Sequence, residues 1–393
     1  MPEAFAVVLG LSPTGLYALR ELGEAGVRVL GVESSRQPGC YSKHLTVAPG
    51  SLIATGDEET VARLLEIAER EGTRGVLIPA SDAYIELIVR NASRLAARYD
   101  FQPTYNDEFY SAIVDKARFA DLCREHGVAA PAYFERDAAS LAALADTAAY
   151  PCLIKPALIH TVKKHMKGAK VYIAKDAGEF RAVAKMVEPW GGGWLVQEII
   201  PGPESDITCY YGYFAQDGSV RQACTARKLR QFPPGFGSAS LVRSERLDET
   251  REISERFLKA VGFRGIGGVE YKLDRRDGKL KIIEVNPRPE LWAALSHHAG
   301  KRTVLEAFRD LSGGEPVPEE PLIDGVAWRY FLKDLYSRLF YAVKGKDFVL
   351  SAPSVAEKPI VKTVGPLFDW SDPLPVFGEL FNYAVKAVTR VFR

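Results

Sequence analysis

The sequence predicts a protein of the mixed α/β and α+β class: a doubly wound α/β domain at the N-terminus, then an α+β region built around a long hairpin. Three observations carry this. Residues 5–9 form an apolar strand pattern, followed by Gly10-Leu11-Ser12-Pro13-Thr14-Gly15, a helix over 16–25 and a second strand over 27–32. That order opens a doubly wound sheet. Strand patterns over 265–273 and from 281 onward flank Asp274-Arg275-Arg276-Asp277-Gly278, where Asp-Gly marks a hairpin turn. The second of these strands presents Glu284, Asn286 and Arg288 at alternate positions, so all three point to one face.

The bounds from composition are broad. The 393 residues suffice for two or three domains with a large core. A net charge of +1 gives no global field for nucleic acid. Cys40, Cys123, Cys152, Cys209 and Cys224 are scattered, with no C-x-x-C pair, and are expected reduced and mostly buried. The first residues lack the basic start and apolar run of a signal peptide, and no stretch reaches the length of a membrane span. A reducing cytoplasm is the expected compartment.

The glycine loop at 10–15 has the spacing of a phosphate-binding loop, but Leu16 stands where lysine is needed. It also lacks the G-x-G-x-x-G pattern, so a tight turn at a helix N-terminus is expected. Residues 58–71 form an amphipathic helix and 75–78 the next strand. Ser81 and Asp82 then open a helix over 84–99 and are expected to cap it. They also fall at the carboxyl end of a parallel strand, where such sheets place ligands.

From residue 107 the pattern changes. A helix beginning at Asp115-Lys116 runs to His126 and is closed by Gly127 and Pro131. A helix over 138–145 precedes the strand 150–154, and Lys155 ends that apolar run, either snorkelling to solvent or aimed into a cleft. The loop 163–170 carries Lys163, Lys164, Lys167 and Lys170, a solvated loop or a cover over polyphosphate. Strands follow over 171–174 and 194–200, then a paired set over 205–214 and 220–227 with Lys228 after it. A helix over 249–261 leads into the hairpin, and another spans 303–311. A last helix over 377–392 has Phe381, Val385, Val388 and Phe392 on one side. Docking on its own protein is its expected use, with peripheral contact at a membrane surface as the alternative.

The hairpin carries the chemistry. Folded back on its turn, it sets Glu270 near Glu284. Clustered carboxylates repel unless a cation lies between them. Two carboxylates and the amide oxygen of Asn286 suit magnesium, since neither His nor Cys lies in the stretch to favour a softer metal. Arg288 would face the charge that develops on a transferred phosphoryl group.

These motifs, in this order, resemble the ATP-grasp superfamily over roughly residues 1 to 310. The resemblance implies that Glu270, Glu284 and Asn286 hold magnesium, with manganese as a substitute. It implies catalytic roles for Arg288 and Lys228. It implies that Lys116 in Asp-Lys-Ala-Arg-Phe and Lys155 in Leu-Ile-Lys-Pro hold ATP phosphates, with Lys167 on the covering loop. Glu198 and Ile200, in Val-Gln-Glu-Ile-Ile-Pro-Gly, match the adenine hinge, and Glu204 the ribose carboxylate, with Asp206 as the alternative. The implied organisation is an α/β domain preceding the grasp (1–105), a lid (106–196), a catalytic subdomain (197–315) and a C-terminal extension (316–393). Within the superfamily the chain looks most like the carbamoyl-phosphate-synthase-like carboxylate–amine ligases, D-aspartate ligase-type proteins included. That implies small-molecule acid and amine substrates joined through an acyl phosphate, with homodimerisation open. The alternative is an ATP-grasp phosphotransferase or carboxylase that joins no amine. A single glycine in the loop 163–170 disfavours a biotin-carboxylating member.

Overall fold

A computed structural model describes residues 4–46, 52–134, 141–156, 162, 164–166, 171–191, 193–355, 358–380 and 382. The N-terminal strands are β1 (Phe5–Leu9), β2 (Val29–Val32), β3 (Gly75–Pro79) and β4 (Tyr99–Asp100), and they form a parallel sheet ordered β2-β1-β3-β4. The first three are buried along their whole length, which is why they read as unbroken apolar runs. Helices α1 (Pro13–Glu24), α2 (Asp57–Glu71), α3 (Asp82–Arg90) and α4 (Ala92–Leu95) connect them. Gly10 has φ +91°, and a Cβ on Gly15 would lie 1.8 Å from the Gly10 carbonyl oxygen. Both glycines are needed for α1 to start this close to the strand.

The single helix expected over 84–99 is instead two helices and a short strand. Asn91 Nδ2 donates to the Leu87 carbonyl at 3.0 Å, a local bond that competes with continuation of the helix. Tyr99 OH donates to the Leu64 carbonyl at 2.6 Å and its ring meets Phe5 edge-on, which holds residue 99 at the sheet.

Helices α5 (Asp107–Val114) and α6 (Lys116–Glu125) lead to a second, antiparallel sheet. Its strands are β5 (Tyr133–Phe134), β6 (Cys152–Pro156), β7 (Tyr172–Ala174) and β8 (Trp194–Glu198), in the order β5-β8-β6-β7. Helix α7 (Ala177–Val187) buries Phe180, Ala184 and Val187 in the cluster beneath this sheet. The expected helix over 138–145 is a short 3-10 turn at Leu141–Asp146.

The third sheet has seven strands: β9 (Ile207–Phe214), β10 (Val220–Phe232), β11 (Ser238–Ser244), β12 (Gly265–Asp274), β13 (Lys279–Asn286), β14 (Val326–Arg329) and β15 (Lys362–Val364). Their order is β13-β12-β9-β10-β11-β14-β15. Helices α8 (Asp248–Ala260), α9 (Ala294–His298), α10 (Thr303–Leu311) and α11 (Phe331–Lys344) pack around it.

Two expected boundaries meet regular structure. The division at 196/197 falls inside β8, which pairs with β5 through Gln197 and with β6 through Glu198. The stretch after 316 is no appendage, because β14 extends the seven-stranded sheet from β11 and β15 extends it further. The N-terminal sheet and the seven-stranded sheet share a core: Ala6, Val8 and Leu19 lie in one cluster with Tyr211, Trp292 and Leu305. All five cysteines are free thiols, four of them buried. Among the described residues no helix is long and apolar enough to cross a membrane.

Candidate active site

The hairpin of β12 and β13 sets Glu270 directly opposite Glu284. Glu270 is 6 % exposed, and both its carboxylate oxygens accept from Lys228 Nζ, itself 3 % exposed. Lys228 lies on β10, with only β9 between it and β12, so it reaches Glu270 across a single intervening strand. Burial works against charge on Lys228, but the Glu270 carboxylate overrides it and holds the ammonium above its ordinary range. Burial pushes the Glu270 carboxyl up. The Lys228 ammonium opposes this rise, and Glu284 adds to it.

Asn286 ends β13, and Arg288 and Glu290 follow at the next alternate positions. Asn286 Nδ2 donates to Glu284 Oε1 at 3.2 Å and to Glu290 Oε1 at 2.9 Å. Glu290 is buried, and its carboxyl is pushed up to about 8 by burial first and by Glu270 second. It fits there because β12 carries Gly268 below it: a Cβ on Gly268 would lie 2.3 Å from Glu290 Oε1. Arg288 turns the other way, donating from Nε at 2.7 Å and Nη2 at 3.2 Å to the two oxygens of Asp82. Asp82 opens α3 at the carboxyl end of β3, so the N-terminal sheet holds the guanidinium from outside the hairpin. The expected cap at Ser81 is absent, since its side chain makes no capping bond.

Beside this patch, a cavity of about 200 Å³ opens between the second and third sheets. Lys155, Glu198, Ile200, Glu270 and Glu284 line it. Lys155 Nζ donates to Gln197 Oε1 at 2.6 Å. Glu198 accepts from Ala132 N at 3.1 Å and from Arg276, which tie its carboxylate to the edge of the cleft. The Ile200 carbonyl accepts from Lys272 Nζ at 2.8 Å, and so does that of Gly202 at 3.0 Å. The side chain of Lys116 and all of Lys167 lie outside the described residues, as does most of the basic loop 163–170.

Glu204 lies apart from this lining. It does not line the cavity; it is wholly buried and accepts from Gln231 N at 2.9 Å and from Gly235 N. Its carboxylate satisfies one backbone donor on β10 and one in the turn after it. Asp206 is likewise engaged, by Arg275 at 2.8 and 2.7 Å.

Three residues of the site went unassigned from sequence. Glu290 continues the alternation of 284, 286 and 288, and Lys272 lies two residues after Glu270 on β12. Strand periodicity applied one step further finds both. Lys272 is buried, and burial brings its ammonium down to about 8. Asp82 could not be assigned to the guanidinium, because its partner is 206 residues away.

Among the described residues, no three His, Cys, Asp or Glu side chains converge as a metal cage by themselves. The donor set that does converge is Glu270, Glu284 and the Asn286 carboxamide. These are hard oxygen donors, and burial raises carboxyls at the site, so added positive charge would be welcome there. These donor types fit a hard divalent cation.

Residues 237–318 match the family described as the carbamoyl-phosphate synthase L chain, ATP binding domain. This segment includes Glu270, Glu284, Asn286, Arg288 and Glu290. The chain is 24 % identical over 302 residues to a D-aspartate ligase of Enterococcus faecium (strain Aus0004), covering 73 % of this chain and 72 % of the relative. An N5-carboxyaminoimidazole ribonucleotide synthetase in complex with ADP superposes with TM-score 0.63 at 11 % identity, over 82 % of this chain and 80 % of that one. An L-amino acid ligase from Bacillus licheniformis gives 0.57 at 16 %, over 81 % and 75 %. The biotin carboxylase domain dimer of Hydrogenobacter thermophilus 2-oxoglutarate carboxylase, with MgADP and bicarbonate, gives 0.60 at 16 %, over 83 % and 74 %. The chain shares its fold with these three solved structures.

Proposed function

We propose that this ATP-grasp chain is an ATP-dependent ligase that joins a carboxylic acid to an amine and releases ADP and phosphate. The observation that carries the reading is the constellation of buried Glu270 and Lys228 with half-buried Glu284, Asn286 and Arg288, beside the cavity between the two sheets. The names of its relatives, a D-aspartate ligase and an L-amino acid ligase, support the acid and amine as substrate classes.

In this reading ATP lies in the cleft between the second and third sheets. Glu198 and Ile200 are its adenine edge, and Lys155, with Lys116 and Lys167, meets its phosphates. Glu270, Glu284 and Asn286 would hold magnesium, or manganese, which shares the preference for oxygen. When bound, the ion neutralises phosphate oxygens and supplies Lewis acidity at the phosphoryl group. A carboxylate oxygen of the acid attacks the γ-phosphorus, the bond to the β-phosphate oxygen breaks, and ADP leaves. Arg288 stabilises the charge on the group in transit, and Lys228 balances Glu270 so that the buried patch does not repel the phosphates. The amine then attacks the acyl carbon, phosphate departs, and the nitrogen loses a proton to give the amide. Positioning and charge do this work, so no nucleophilic Ser or Cys is required. The buried free thiols support a reducing cytoplasm, and the dimeric carboxylase neighbour supports a homodimer as the assembly to test first.

A carboxylase that joins no amine is the second reading, favoured by the synthetase and biotin carboxylase neighbours. One experiment separates them: ADP release across acid and amine pairs, with hydroxylamine as the trap. A ligase yields a hydroxamate from its true acid and an amide with its true amine. Bicarbonate-dependent ADP release without a hydroxamate would assign the carboxylase, and AMP with pyrophosphate would exclude both.

A further inference from the structure

Helix α11 is packed with its polar side inward. Asp334 and Ser337 are fully buried. Asp334 accepts from Arg230 Nε at 2.5 Å and from Arg329 Nε at 2.7 Å, and Ser337 donates to the Gln231 carbonyl. The opposite side is apolar and open: Leu332, Leu335, Tyr336, Leu339 and Val343 are 69, 38, 54, 58 and 78 % exposed. Their spacing puts all five on one stripe of the helix. A surface helix ordinarily has the reverse arrangement. Exposed large apolar side chains are otherwise few: among the described residues, all but Val114 and Met186 lie beyond residue 322.

Charge says what covers the stripe. Asp334 is the one acidic residue of α11, and it is buried and paired. Every charge the helix turns outward is therefore positive. Arg338 lies along one edge of the stripe, and Lys344 along the other with half-buried Lys333, whose Nζ sits 4.1 Å above the Tyr330 ring; Lys346 is just beyond the end. A second copy of the chain seated here by a two-fold axis would bring these cationic edges together. An anionic lipid surface complements both features, because it accepts an apolar stripe and attracts its basic borders.

We propose that α11 lies flat on an anionic lipid surface, its apolar stripe entering the interface and Lys333, Arg338 and Lys344 reaching the headgroups. Its 14 residues rise about 21 Å, too short to span a bilayer, so the helix lies on the membrane. This inference stands apart from the ligase reading, and the chemistry of the cleft does not enter it.

The test uses the full chain with sedimenting vesicles, either phosphatidylcholine alone or an equal mixture with phosphatidylglycerol. The wild type is expected to sediment with the mixed vesicles, at least about tenfold more than with the neutral ones, and to be released by salt. Leu335→Glu/Leu339→Glu is expected to lose that binding about tenfold while circular dichroism and melting are unchanged. Val343→Glu, at the most open position of the stripe, repeats the test should the double variant fold poorly. Lys333→Gln/Arg338→Gln/Lys344→Gln is expected to abolish the preference for the anionic vesicles. Three results overturn the proposal: no preference for anionic vesicles, binding that the glutamate variants retain, or light scattering that shows a wild-type dimer dissolved by Leu335→Glu/Leu339→Glu. The last would assign the face to a second copy of the chain.

Discussion

Arg288 is held by Asp82 from across the molecule, two bonds to two carboxylate oxygens. Such a paired geometry fixes a guanidinium plane better than a single contact does. In the proposed reaction Asp82 is a positioning residue, since it acts through Arg288. Asp82→Asn is expected to lower ADP release by about tenfold to a hundredfold, the usual cost of a misplaced group. Its pair is more than half exposed on the aspartate side, so the melting temperature should move little. An unchanged rate would show that Arg288 needs no partner. Glu284→Ala removes one of the two facing carboxylates and is expected to abolish magnesium-dependent ADP release while the far-UV circular dichroism stays normal. Near-normal release from that variant would remove the hairpin from the proposed chemistry.

At the scale of elements, the join between α1 and α9 is electrostatic. His297 lies between Glu21, 3.5 Å from Nδ1, and Glu24, 3.3 Å from Nε2, with Arg302 at 3.0 Å and the His298 ring beside it. Burial works against its charge, but the two carboxylates win and raise it to about 9. A histidine raised above its unfolded value near 6.5 contributes stability that is whole below that pH. The contribution is lost as pH rises through about 9. The stability of the wild type should therefore fall by roughly 2–4 kcal/mol between pH 6 and pH 10 from this group. His297→Gln should flatten that part of the profile, as read by chemical denaturation at both ends. A profile that keeps its slope in the variant would place the titration elsewhere.

Across the whole molecule, the tail is a clamp. Asp372 is 1 % exposed and accepts from Arg20 Nε at 3.0 Å, Ser42 Oγ at 2.8 Å and Lys43 N at 2.9 Å. It ties the chain beyond β15 to α1 and the loop after β2, and so closes the N-terminal sheet against the seven-stranded one. Asp372→Ala leaves those donors without their acceptor and should cost about 2–4 kcal/mol. Limited proteolysis of the variant should cut the tail first. Equal resistance in the two proteins would mean that the apolar core between the sheets holds the tail alone.

The local patterns were legible in sequence. Unbroken apolar runs marked the first three strands of the N-terminal sheet, the Asp-Gly turn marked the hairpin, and alternation along β13 put Glu284 and Asn286 on one face. All of these depend on neighbours within a few residues, where backbone geometry dictates side-chain direction. Tertiary structure decided whatever depended on distant partners. Glu204 looked like a ligand carboxylate, and only the fold brought Gln231 N and Gly235 N to both its oxygens. Asp82 looked like a cap, and only the packing of two sheets delivered Arg288 to it. The chain after 316 looked like an extension until β14 found β11. Helix α11 carries an amphipathic pattern in any conformation, but which face points outward was set by Arg230 and Arg329, which draw Asp334 inward. Periodicity reports that a helix has two faces; the long-range charges it meets determine which one is buried.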